Sequence, residues 1–99
     1  EPIAVINGGS KLRNGLYLRR IVLYRDRIAF EVFASRAFGE HELESLTLTD
    51  SSGTTYVMRA LPDGIEGRGT IEFTPAPVSL GGIRLGQPGW GLHTFTLAP

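Results

Sequence analysis

The stretch Leu46–Met58, Leu-Thr-Leu-Thr-Asp-Ser-Ser-Gly-Thr-Thr-Tyr-Val-Met, restricts the fold more than any other part of the chain. It reads as a β-hairpin with a fixed register. Asp50 suits the first position of a type I turn, because its carboxylate accepts backbone N–H bonds. Gly53 suits the fourth, where the chain leaves with positive φ. Such a turn, closed by a glycine bulge, sets Leu48 opposite Tyr56 and Leu46 opposite Met58. One face is then apolar, and the other carries Thr47, Thr49, Thr55 and Val57. A slip of one residue inverts the two faces, so turn and pattern agree on one register. Further strands must cover the apolar face.

Those strands are legible along the rest of the chain. Pro2–Ile6 is a short apolar strand, and Asn7-Gly8-Gly9-Ser10 reads as a loop. Asn14-Gly15 is a type I′ turn signal between Leu12 and Tyr17. Arg25-Asp26-Arg27 divides the longest apolar stretch into strands Arg19–Tyr24 and Ile28–Ser35. Ile28, Phe30, Val32 and Ala34 alternate and face the core, joined by Val22 and Tyr24 from the partner strand. The second face then carries Ile21, Leu23, Ala29 and Phe33, and a strand pair apolar on both faces is usually covered on both. Arg36–Leu43 is a connection. Leu61-Pro62-Asp63-Gly64 is a turn, and Gly67 and Gly69 frame a crossing. Thr70–Thr74 is a strand with Ile71 and Phe73 inward, ended by Pro75 and Pro77. Ile83–Leu85 is short. Gln87-Pro88-Gly89 suits a type II turn, and Trp90–Leu97 turns His93, Phe95 and Leu97 inward.

Seven or eight short strands, punctuated by glycine and proline and without an amphipathic helix, predict an all-β fold: a two-sheet antiparallel sandwich. A small barrel is the alternative. With 99 residues the chain is one domain, 1–99, which buries roughly two-thirds of its unfolded surface. No cysteine is present, which excludes disulfides and thiol chemistry. No apolar run is long enough for membrane insertion, and no signal peptide is visible. The chain opens at Glu1-Pro2 without Met, as expected after loss of an upstream segment. Net charge is zero, but residues 1–39 carry seven Lys/Arg against three Asp/Glu, and residues 40–99 three against seven. Such blocks are expected to interleave on folding.

The run Ile28–Ser35, a polar connection and then Leu-Thr-Leu-Thr-Asp-Ser-Ser-Gly-Thr-Thr-Tyr resembles the immunoglobulin-like sandwich domains of bacterial envelope and secreted proteins. There a strand of alternating valine, phenylalanine and alanine precedes one that ends in an Asp-x-x-Gly-x-x-Tyr hairpin. The likeness covers about Arg19 to Phe73 and lacks the paired cysteines of antibody domains. It implies an adhesive, spacer or partner-binding module rather than an enzyme, in an exported or cell-envelope setting.

The chemistry-bearing residues point the same way. Glu40, Glu42 and Glu44 share one side of an extended segment and His41 the other, so no metal set converges. His93 lies in a strand, where a sheet-face role fits better than a catalytic base. No nucleophile elbow accompanies the Ser, His and Asp residues, and Gly67-Arg68-Gly69 and Gly81-Gly82 lack the setting of a phosphate loop. Arg19, Arg20, Arg25 and Arg27 with Tyr17 and Tyr24 do not form a nucleic-acid platform in a neutral chain interrupted by Asp26. The expectation is a non-enzymatic protein-interaction or structural module that needs no cofactor. Its partner is a second copy, giving a homo-oligomer, or a neighbouring domain, docking on Ile21, Leu23 and Phe33, with the N-terminal segment Ile3–Ile6 as the alternative cover from within the chain. The alternative is a carbohydrate- or small-ligand-binding β-module using Trp90, Arg68 and the glycine loops Gly64–Gly69 and Gly86–Gly91.

Overall fold

The computed structural model describes residues 2–59, 64–78, 82–87 and 91–96. Their elements are β1 (Ala4–Arg13), β2 (Leu16–Leu23), β3 (Ile28–Gly39), α1 (Glu40–Glu44), β4 (Thr47–Thr49), β5 (Val57–Met58), β6 (Gly64–Thr74), β7 (Gly82–Gln87) and β8 (Gly91–Thr96). The strands form two antiparallel sheets, one of five in the order β1-β2-β3-β6-β5 and one of three in the order β4-β7-β8. A mostly β, two-sheet fold is what the strand pattern predicts. The turns around Pro62 and Pro88, together with Trp90 and Leu97, lie outside the described residues.

The core lies between the sheets. The large sheet turns in Leu16 and Leu18 from β2, Phe30 and Val32 from β3, and Ile71 and Phe73 from β6. Leu48, Ile83 and Leu85 meet them from the small sheet, with Phe95 partly buried beside them. Phe30 sits edge-on to Phe73 with centroids 6.0 Å apart. Each fully buried side chain of this size contributes about 1.5–3 kcal/mol. His93 in β8 reaches across the sandwich, where its Nε2–H donates to the Leu12 carbonyl at 3.0 Å. A carbonyl only accepts, so this bond fixes the tautomer.

The stretch Leu46–Met58 is not a hairpin. β4 pairs with β7 in the small sheet, whereas β5 pairs with β6 in the large one. Residues 50–56 therefore arch from one sheet to the other. Asp50 holds the arch: its carboxylate accepts the Ser52 N–H at 2.9 Å, the Thr54 N–H at 3.0 Å and the Tyr56 hydroxyl at 2.7 Å. Gly53 takes φ +76°, as the turn chemistry requires. Leu46 and Leu48 are buried, and Tyr56 and Met58 pack on the same core. The apolar alternation is real, but the two halves face each other across the core instead of lying side by side.

Other boundaries shift for local reasons. Gly8-Gly9 forms a bulge inside β1 and not a loop, with Gly9 at φ +103°. Asn14-Gly15 does turn β1 into β2, but only Gly15 has positive φ, so the turn is not the mirror-image type I′ form. β3 runs on to Gly39 before the single turn α1, where the Glu42 carboxylate accepts the Gly39 N–H at 3.2 Å. Gly67 and Gly69 lie within β6 and do not frame a crossing. At Gly69 any Cβ would stand 2.7 Å from the Ile65 side chain, so the strand needs a glycine there.

Candidate functional site

β2 decides what the outer face of the large sheet displays. In Leu16-Tyr-Leu-Arg-Arg-Ile-Val-Leu23 the apolar residues fall at 16 and 18, then at 21 and 23. A regular strand cannot turn both sets the same way, because faces alternate with period two. A bulge resolves the conflict. Leu18 pairs with Val32 and Arg20 with Glu31, which leaves Arg19 as the extra residue. Both arginines are exposed, and Leu16, Leu18, Ile21 and Leu23 all reach the core.

The expected docking face is corrected accordingly. Ile21 and Leu23 are 1% and 8% exposed and pair with Phe30 and Ile28 on the inner face. Their cover is the opposite sheet, and no outside cover is needed. Val22, expected inward, pairs with Ala29 on the outer face. Phe33 does point outward and is 42% exposed.

Phe33 stands in a row. Lys11 on β1 pairs with Tyr17 on β2, Tyr17 pairs with Phe33 on β3, and Phe33 pairs with Arg68 on β6. All four are exposed, and Tyr17 is 41% so. Two aromatics on adjacent strands thus lie side by side, with a cation beyond each. The register unites Phe33 with Arg68, which the sequence assigned to two alternative sites. Trp90, the other member of the ligand-site alternative, lies outside the described residues.

The remaining outer-face cations are committed within the chain. Arg20 Nε donates to Glu31 at 2.6 Å, and this bond together with the Glu31 charge raises the arginine pKa further. Arg27 Nε donates to Glu72 at 2.9 Å, the largest cause of its own upward shift, and Arg59 lies 3.8 Å from the same carboxylate. Val22 and Ala29 are buried on this face, with the exposed Val5 of β1 beside Val22 and Glu72 of β6 beside Ala29. Arg27–Glu72, Arg36–Glu42 and Arg13–Glu42 also join the basic and acidic halves of the sequence. Lys11, Arg19 and Arg68 make no ion pair among the described residues.

Elsewhere, a shallow depression of about 300 Å³ lies at Tyr24–Arg27 and another of about 310 Å³ at Phe38 and Gly64–Glu66. Neither joins a nucleophile to a base. His41 Nδ1 lies 3.0 Å from Glu44 on the exposed face of α1, and no three metal-ligating side chains converge among the described residues. The Asp50 carboxyl is held down to about 2, first by the Tyr56 hydroxyl and then by the Thr54 and Ser52 N–H groups. Burial and Asp50 together raise Tyr56 to about 12. This pair locks the arch. No family model, curated protein or solved structure matches the chain.

Proposed function

We propose that this chain is an immunoglobulin-like sandwich domain that works by protein contact rather than catalysis, through the outer face of its five-stranded sheet. Strand order supports the fold. Lettered A to G in chain order from β2, the described strands read A-B-E-D and C-F-G, with β1 added beside A, an order that supports the constant-type immunoglobulin reading. The arch at Asp50 is then the C-to-D crossing between sheets.

The observation that carries the function is the aromatic pair. Tyr17 and Phe33 are two-fifths exposed on neighbouring interior strands of the sheet, and the other large exposed apolar residues described on this face, Val5 on β1 and Val57 on β5, are aliphatic and stand apart from each other on its outer strands. Aromatics set in a polar rim are the usual anchors of protein interfaces. The test is p-benzoylphenylalanine at position 33 in the source cells, with Thr94, exposed on the small sheet, as the control position. A discrete cross-linked product is expected at 33 and none at 94. Equal labelling at both, or none at 33, would sink the proposal.

A further inference from the structure

The charges in the Lys11–Tyr17–Phe33–Arg68 row describe the partner. The row holds two exposed aromatics between two cations and contains no carboxylate. The sheet's other outer-face cations are paired: Arg20 with Glu31, and Arg27 and Arg59 with Glu72 and Asp26. Arg19, exposed in the bulge beside Tyr17, adds a third unpaired cation. Glu66 stands two residues from Arg68 but makes no ion pair with it. Around the aromatics the surface therefore has an excess of unmatched positive charge, which favours an anionic partner and rejects a cationic one.

The spacing is defined by the sheet. Lys11 and Arg68 are three strand positions apart, and strands lie about 4.8 Å from one another, so the cations are rooted about 14 Å apart. In an extended chain, side chains on one face recur every second residue at a rise of about 3.3 Å per residue. Residues i and i+4 of such a segment are then about 13 Å apart on the same face, with i+2 midway. A segment crossing the strands thus brings i over Lys11, i+2 over the aromatics and i+4 over Arg68.

We propose that the partner is an extended protein segment bearing acidic side chains at i and i+4 around an apolar or aromatic side chain at i+2. This rests on the outer face being a contact surface. A second copy fits less well, because it would bring Lys11, Arg19 and Arg68 against the same three cations with Glu66 as the one uncommitted acid among the described residues of that face. A nucleic acid fits less well because the chain has zero net charge and a pI near 7.0, where domains that bind nucleic acid are commonly far more basic.

The test is selection of random dodecapeptides displayed on phage against the folded chain, with the enriched peptides then measured on variants. Enriched peptides are expected to carry Asp or Glu at i and i+4 around an apolar residue. They should bind Phe33→Glu and the Lys11→Glu/Arg68→Glu pair at least about tenfold more weakly. Lys11→Gln and Arg68→Gln, singly, replace the pair if circular dichroism shows it unfolded. Peptides that depend on Phe33 but lack the acidic pair, or carry it at another spacing, overturn this inference and leave the contact surface standing. Absence of any peptide that depends on Phe33 or Tyr17 overturns both. Tyr17-dependent binding of a fluorescein-labelled oligothymidylate, or a dimer that Phe33→Glu dissociates, assigns the face to another occupant and overturns the inference.

Discussion

Ile21 and Phe33 are the pair of positions that most directly tests the bulge in β2. Plain alternation across the β2–β3 hairpin sets both on the second face, whereas the bulge buries Ile21 and leaves Phe33 outside. Ile21 is 1% exposed and packed among core side chains, so Ile21→Ala removes buried atoms and leaves a cavity. Such truncations cost about 2–5 kcal/mol. Phe33 keeps 42% of its surface in water. Full burial of a phenylalanine is worth about 1.5–3 kcal/mol, so its partial burial is worth about 1–1.5 kcal/mol, with no cavity added. Phe33→Ala should cost no more than that. The assay is equilibrium unfolding in urea, with fluorescence and circular dichroism followed together. With a slope of about 1–3 kcal/mol per molar, Ile21→Ala should lower the midpoint by about 1–3 M and Phe33→Ala by under half as much. Lysine sharpens the contrast, because Ile21→Lys forces a charge into the core and should unfold the chain, while Phe33→Lys should stay folded. Equal losses for the two alanine variants, or a folded Ile21→Lys with the parent's midpoint, would show that β2 has no bulge and that Ile21 faces outward.

The arch supplies the other predictions. Tyr56→Phe deletes one hydrogen bond to a carboxylate and should cost about 1.5–3 kcal/mol in the same urea assay. Asp50 has a folded pKa of about 2, below its ordinary value of 3.8. Its contribution is therefore present above pH 3.8 and is lost as pH falls towards 2, so Asp50→Asn should flatten the acid limb of stability against pH over that window. Gly53 holds φ +76° with open space around any added Cβ, so substitution there meets backbone strain alone. Gly53→Val should cost about 1 kcal/mol or more and Gly53→Asn much less, and equal midpoints for the two would refute the left-handed conformation.

The class of fold was legible because alternation and punctuation are local signals. Ile28, Phe30, Val32 and Ala34 announce one buried face, and Pro75 marks the end of β6. Pairing was not legible at Leu46–Met58. Asp-x-x-Gly chemistry closes a hairpin and braces an arch equally well, since both need the carboxylate on nearby N–H groups and a residue with positive φ. What separates them is where the Tyr56 hydroxyl goes. In a hairpin Tyr56 would lie across from Leu48, whereas here it donates back to Asp50 while β4 turns away to β7. The connection back into the large sheet runs through β5, whose two residues are too few to identify a partner by pattern.

The contact row was half legible, for a geometric reason. Its members come from four strands, so no spacing within the sequence links them. Phe33 declared itself as a large apolar residue out of phase with its own strand, and Arg68 was legible only as part of a different, ligand-binding alternative. Tyr17 required the bulge. With β2 read as a regular strand, Tyr17 shares a face with Ile21 and Leu23 and looks like more of the same apolar surface. The signal that separates them was present in Leu18-Arg19-Arg20-Ile21, where two adjacent charges sit between apolar sets of opposite parity. A strand can bury both sets only by spending one residue on a bulge, and the residue most cheaply left unpaired at such a step is a long, solvated one. That step sends Ile21 and Leu23 into the core and leaves Tyr17 outside beside Phe33. The same irregularity that completes the core of the large sheet therefore also assembles the surface by which we propose it makes contact.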